Sequence, residues 1–393
     1  MRLWCGDGEK DEIQKKSTLF PLDFLAPRSI ELYLFGRCIS GERCNMRKYR
    51  FRTTRFFNII SLALLLLSSC ASEKERACIE KQMQVWDTVE GPTDVKMRIL
   101  SRNLGAVFSL DISPDGKYLI AGSSRGIVKI WDLETNVEKL SLYQCLSPGV
   151  RRVVFSPDGR SFAAVGHNSG SYDQKIKLCD SETGSERIKL ENSKDSCTAA
   201  AFSSDGKYLV GVDTVRGGVI KIWNAASGKL MMQFHDKGSC VLSSVACSPD
   251  RKRFVTGSSI RDMVSGEKIA TLHGPIKCPG YLTFSPDGSQ IASGHHDGTI
   301  QLWDSKNGSE IKSISGHEGR VYSVAFSPSG GRIASAGLDK TVKIWDTAKG
   351  LEIMTLHGHE DMVFSVLFSL DGRRIVSSSR DGTVRVWKLA NQK

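Results

Sequence analysis

One turn motif returns through most of this chain, in its fullest form Phe-Ser-Pro-Asp-Gly, and it restricts the fold more than any other feature. Anchored on its serine, the turn falls at Ser113, Ser156, Ser203, Ser248, Ser285, Ser327 and Ser369, with spacings of 43, 47, 45, 37, 42 and 42 residues. Each anchor is followed by an apolar strand, a group of small residues, an Asp-Gly-Thr-like turn and a second apolar strand that often ends in Trp-Asp. Strands of about five residues joined by Gly, Asp and Asn turns fit antiparallel hairpins. A repeat of this length fits a four-stranded propeller blade rather than a helical or leucine-rich array. One such sheet is apolar on both faces and needs neighbours, which a ring of blades supplies.

The units resemble the WD-repeat family. Trp131-Asp132, Trp303-Asp304 and Trp345-Asp346 carry the name-giving dipeptide, while Trp223 and Trp387 keep the tryptophan. Gly316-His317 and Gly358-His359 match the family's Gly-His pair. The resemblance implies a structural tetrad of Asp, His, Ser and Trp in two units: Asp339, His317, Ser335 and Trp345, and Asp381, His359, Ser377 and Trp387. It covers roughly residues 95–389 and implies an all-β, seven-bladed propeller of four-stranded antiparallel blades. The last unit stops after its third strand, and an unattached apolar strand, Val95 to Leu100, precedes the first. Pairing of that strand with Val384 to Leu389 is expected to close the ring.

Departures from the pattern are expected to mark weak or specialised blades. Cys179 stands where the second unit should have tryptophan, and Arg125 replaces the turn aspartate of the first. The fifth unit has Ser293, Asp297 and Trp303 without a matching histidine, and the fourth is short, with a third strand expected at about Ile260 to Val264. Units two and three carry insertions at Asn168 to Gln174 and Asp213 to Gly218. Of the eleven cysteines, Cys145, Cys197, Cys240 and Cys278 all fall between a fourth strand and the next first strand. A bridge such as Cys240 to Cys278 becomes available in an oxidising compartment.

Upstream of the repeats the text changes character. After Met46 come Arg47, Lys48, Arg50, Arg52 and Arg55, then the apolar run Phe56 to Leu67, then Leu67-Ser68-Ser69-Cys70. Basic, apolar and small segments in that order read as an export signal, since the apolar run is shorter than the roughly 20 residues a spanning helix needs. The ending resembles the lipobox of bacterial lipoproteins, which implies lipidation at Cys70, a membrane anchor, and a place at a bacterial envelope. Ala71 after the cysteine favours the outer membrane. The domain reading is a non-native or disordered extension at 1–45, a signal at 46–69, a linker at 70–94 and the propeller at 95–389.

Net charge is +11, of which residues 1–69 carry +5. No basic run with interleaved aromatics follows, so no nucleic-acid partner is expected. Gly122-Ser123-Ser124-Arg125-Gly126 matches a nucleophile elbow but falls in a hairpin, where that motif has no catalytic geometry. His357, His359, Glu360 and Asp361, like His295, His296 and Asp297, are read as parts of blades rather than metal ligands. No metal, cofactor or enzymatic activity is therefore expected. The function read from the resemblance is a monomeric scaffold that works within a complex by binding a protein or peptide partner. The alternatives are a cytoplasmic subunit of a multiprotein assembly and, behind it, a propeller enzyme. The residue near the start of each first strand varies from unit to unit, and large aromatic and Arg side chains dominate binding hot spots. Tyr322, Phe364, Arg151 and Arg320 are the candidate partner-binding residues, on the face that carries the two insertions.

Overall fold

The computed structural model describes residues 95–389 except 144, 147–148, 168–175, 193–196, 214–217, 237–242 and 275–279, together with the backbone of Ile30–Leu34, Arg47–Phe51 and Val89–Glu90. The chain divides into two units, Met1–Lys81 and Gln82–Lys393. In the first, Ile30–Leu34 and Arg47–Phe51 pair antiparallel, Ile30 opposite Phe51. Cys70, the apolar run 56–67, Cys240 and Cys278 lie outside the described residues. None of the described elements is a helix long and apolar enough to cross a membrane.

The second unit is a seven-bladed propeller. Blade one holds Val107–Ile112, Tyr118–Ser123, Val128–Asp132 and Glu138–Leu142 from inner to outer strand. Blade two begins at Gly149–Phe155, blade three at Ala199–Phe202, blade four at Val245–Cys247, blade five at Tyr281–Phe284, blade six at Val321–Phe326 and blade seven at Val363–Phe368. The Ser-Pro-Asp-Gly turns join inner strands to second strands by a repeated side-chain clasp. In blade one the Ser113 hydroxyl donates to Asp115 at 2.6 Å and accepts the Tyr118 amide at 2.8 Å. Gly116 completes the turn at φ 73°, where a side chain would be strained. In blade four Arg251 takes that conformation instead, at φ 68°.

Ring closure follows the expected pairing, with bounds one residue later. Lys96–Ser101 is the outer strand of blade seven, antiparallel to Val384–Lys388, and Val89–Glu90 adds a short fifth strand outside it. The third strand of blade four is Ser259–Asp262 rather than Ile260 to Val264. Thr256 pairs with Ser259 across a two-residue turn. Val264 is 70% exposed beyond the strand.

The apolar cores lie between blades. Ala292, Ile300, Leu302 and Ile314 of blade five meet Val324, Ile333 and Trp345 of blade six, and the pattern repeats round the ring. Toward the axis, serine hydroxyls on inner strands accept an amide of the next blade. Ser323 receives Val366, Ser365 receives Leu110, Ser109 receives Val153 and Ser244 receives Leu282, at 3.2–3.3 Å. Those bonds satisfy polar groups that packing would otherwise bury without partners.

Candidate functional site

The start of each inner strand pairs with the end of the second, so it lies on the face that carries the loops between second and third strands. In four blades the inner strand carries one extra residue there. Pairing jumps from Val107 to Ser109, from Val321 to Ser323 and from Val363 to Ser365, so Phe108, Tyr322 and Phe364 are the bulged residues of the ladder. In blade two the jump leaves Arg151 unpaired between Val150 and Arg152. A bulge re-aims the extra side chain, and all four bulged residues are large. The matching residues of blades three, four and five are Thr198, Ser243 and Gly280.

Blades six, seven and one are consecutive, and their three bulged rings meet. The Phe364 ring lies 5.3 Å from Phe108 and 5.2 Å, edge-on, from Tyr322. The Arg320 guanidinium sits 5.0 Å over the Tyr322 ring. Desolvation first, and then the charge of Arg320, holds the Arg151 guanidinium below its ordinary pKa. Desolvation and the same Arg320 charge hold His296 down as well. The result is an aromatic strip with Arg320 stacked on its Tyr322 end and Arg151 within the electrostatic range of Arg320. Of the sequence candidates, Tyr322, Phe364 and Arg320 stand in one cluster, with Arg151 inside its electrostatic range. Phe108 is the member that sequence reasoning left out, although its place near the start of an inner strand was visible.

Behind the strip, the two tetrads form continuous hydrogen-bond chains. Trp345 Nε1–H donates to Ser335 Oγ at 2.7 Å, and Ser335 meets His317 Nε2 at 2.6 Å. His317 Nδ1 lies 2.9 Å from Asp339 Oδ2. In blade seven the corresponding distances are 2.8, 2.7 and 2.8 Å through Trp387, Ser377, His359 and Asp381. The chemistry fits an imidazole whose Nδ1–H donates to the carboxylate and whose Nε2 accepts the serine O–H. Burial pushes the Asp339 and Asp381 carboxyls up. Bonds from the histidines and from Thr341 and Thr383 outweigh it, and both end well below the usual carboxylate range. Burial lowers His359, against the pull of Asp381.

Blade five, which has no histidine at the place of His317, buries a different one beside its serine. His295, fully buried and two residues after Ser293, places Nε2 2.6 Å from the Ser293 hydroxyl. Its ring centroid is 5.8 Å from that of Trp303. Among the described residues, His295 Nδ1, Trp303 Nε1 and the Gln301 amide have no hydrogen-bond partner. Burial pushes the His295 pKa down to about 4.

An acidic group also bonds between neighbouring inner strands. Asp111, on the inner strand of blade one, accepts the Phe155 amide of blade two at 2.6 Å. Burial raises its pKa to about 6, against those amide bonds and the nearby Arg152. Arg152 reaches from blade two to blade five, where it donates to the Tyr281 hydroxyl at 2.7 Å and stacks 4.6 Å over the ring. Asp111 is therefore engaged in bonds between blades. Among the described residues no three His, Cys, Asp or Glu side chains converge as a metal site. The segment Gly122 to Gly126 joins two strands of a hairpin, so its central Ser124 is no elbow nucleophile.

Comparison with known proteins agrees with the geometry. The profile of the family described as "WD domain, G-beta repeat" matches residues 95–132, 184–224, 266–304, 308–346 and 350–388. The gaps fall mainly on blades two and four, whose third strands carry Cys179 and Arg261 where the others carry tryptophan. The chain is 29% identical over 245 residues to a serine-threonine kinase receptor-associated protein of Dictyostelium discoideum, covering 60% of this chain and 77% of that one. It is 25% identical to the chicken (Gallus gallus) protein of the same name over 62% of this chain, and spans 66% of that relative, just under two thirds. It is 26% identical to GID complex subunit 7 of Schizosaccharomyces pombe over 49% of this chain and 39% of that one. Repeat spacing, blade topology and profile agree: the chain belongs to the WD-repeat family.

Proposed function

We propose that this propeller is a non-enzymatic subunit of a protein assembly that binds an acidic, partly apolar segment of a partner on its bulged face. The carrying observation is the continuous strip Phe108, Phe364 and Tyr322 with Arg320 stacked on it and Arg151 close by. Aromatic rings offer large, rigid contact area, and crowded cations are relieved by an anionic partner. Relatives named as a receptor-associated protein and as a complex subunit support a role in protein complexes, the assembly reading of the sequence. The test is binding of fluorescent peptides that pair acidic with apolar residues. Arg151→Glu with Arg320→Glu, and separately Tyr322→Ala with Phe364→Ala, should each weaken binding by roughly 30-fold or more, the scale of a hot spot. Unchanged affinity in variants with wild-type circular dichroism sinks the site.

The lipid-anchored version at a bacterial envelope rests on a separate observation, the ordered segment Arg47 to Cys70. It is compatible with the same binding face. Expression from Met46 in a bacterium with palmitate labelling decides it: wild type labels and Cys70→Ser does not, or the assembly reading stands without an anchor.

A further inference from the structure

Blade two departs from its neighbours by a pair of changes that fit one another. Its third strand places Cys179 opposite Phe162, the register at which Trp345 faces Ile333 in blade six. Counted back from the inner strand, Cys145 occupies the place that Gly316 holds before blade six and Gly358 before blade seven. Gly316 has room for no side chain, because a Cβ there would lie 2.4 Å from the ring of Trp345. With the indole gone from blade two, a side chain enters from the glycine position and finds the shorter residue that replaced the ring. The serine and histidine of the tetrad are replaced in the same stroke by Ala164 and Leu146, both buried and apolar.

The two cysteines share one core: Cys145 packs against the apolar cluster that contains Cys179, and each acts on the ionisation of the other. Both belong to the core between blades one and two, Cys179 at 2% exposure and Cys145 half-buried at its edge. Lys177, two residues before Cys179 and across from Ala164, donates to the Cys145 carbonyl at 3.0 Å and brings its cation to the pair. Glu186 opposes it from the outer strand side. The neighbouring thiol is the first cause of both shifts, down for Cys145 and up for Cys179, and burial adds to the rise at Cys179. Cys197 and Cys247 lack such a neighbour in their interactions; burial pushes both up to about 12.

We propose that Cys145 and Cys179 are an oxidisable dithiol, a redox modification site that takes small-molecule disulfides as its oxidant. Cys145, as thiolate, attacks one sulfur of oxidised glutathione. The reagent's S–S bond breaks, a mixed disulfide forms on Cys145, and one glutathione leaves and takes up a proton. The Cys179 sulfur then loses its proton, attacks the Cys145 sulfur and expels the second glutathione. Overall two protein thiols give up two electrons and two protons to the reagent, and one disulfide joins the loop between blades to the third strand of blade two. That loop leads directly to Arg151, so the state of the pair bears on the proposed binding face.

The full chain, purified reduced, provides the test. Iodoacetamide near neutral pH should alkylate Cys145 roughly ten-fold or more faster than Cys197 or Cys247, as expected for a lowered and accessible thiol. Oxidised glutathione should yield a Cys145–Cys179 linked peptide, lighter by two hydrogen atoms and reversed by reductant. In Cys179→Ser the mixed disulfide should instead persist on Cys145, and in Cys145→Ser the Cys179 thiol should stay unmodified. Cys179→Ala serves in place of a serine variant that does not fold. Persistence of glutathione on wild-type Cys145 without a linked peptide overturns the proposal, as does a Cys145 alkylation rate equal to that of Cys247.

Discussion

Blades six and five bury the same residue types and connect them differently. In blade six the histidine comes from the loop ahead of the blade, and His317 ties that loop to Ser335, Trp345 and Asp339. In blade five the histidine comes from within the blade, so His295 reaches only Ser293, and the Trp303 indole keeps an unpartnered N–H. The first arrangement fixes a connection between blades and, just beyond it, Arg320 and Tyr322. In the second, among the described residues, the histidine side chain bonds only within its own sheet. A tetrad is therefore valuable for where its histidine originates, beyond the number of bonds it makes.

The comparison can be broken at the tryptophans. Trp345→Ala should cost about 3–5 kcal/mol of unfolding free energy in denaturant titrations, the range for truncating a buried aromatic. Trp345→Phe should cost about 1–3 kcal/mol, because Ser335 loses a donor in a buried site. Trp303→Phe should cost clearly less than Trp345→Phe, since it removes an N–H without a partner. Equal losses for the two phenylalanine variants would mean that the tetrad bond contributes nothing and that only ring volume matters.

A smaller effect separates the histidines by pH. The buried His295 has its pKa depressed to about 4, so the unfolded chain binds more protons between about 6.5 and 4 and acidification destabilises the fold. Asp111 acts oppositely: its folded pKa of about 6 is raised, so its contribution is full below about 3.9 and is lost as pH rises through 6. The two oppose one another over nearly the same window. Relative to wild type, His295→Gln should therefore shift the stability change between pH 6.5 and 4.5 by about 1–3 kcal/mol toward a gain, and Asp111→Asn by a similar amount toward a loss. The Asp339 and Asp381 carboxyls, both depressed, lose their contribution only as pH falls below the ordinary carboxylate range, outside this window. Parallel pH profiles for wild type and both variants would show that neither group is perturbed as its burial implies.

Much of this was legible in the residues. Seven serine anchors point to seven blades, because a repeated unit reports its own tertiary environment, and the tetrads at His317 and His359 are what the family resemblance implies. The closing strand was legible from what the last unit lacked. The substitute role of His295 was hidden because it sits inside a strand ending, where spacing predicts a turn. Phe108 was visible as a position, yet its contact with Phe364 depends on the ring joining the first blade to the last. The Cys145–Cys179 pair escaped for a related reason. Each cysteine was noted separately, and only the shared boundary of blades one and two brings a loop and a third strand together.

Closure by Lys96–Ser101 also sets an order of events. The strand that completes blade seven is the first part of the propeller to be made, and its partner Val384–Lys388 is the last. During synthesis the early strand waits with an unpaired edge while the blades form in sequence, and the contact that seals the ring is among the longest in sequence separation. Such non-local pairing is slow to form and exposes strand edges to other chains meanwhile. Once made, it leaves the ring no free end at which unravelling can start cheaply. The fold is thus expected to assemble slowly and to open slowly, with a persistence set by the rate at which one strand leaves blade seven.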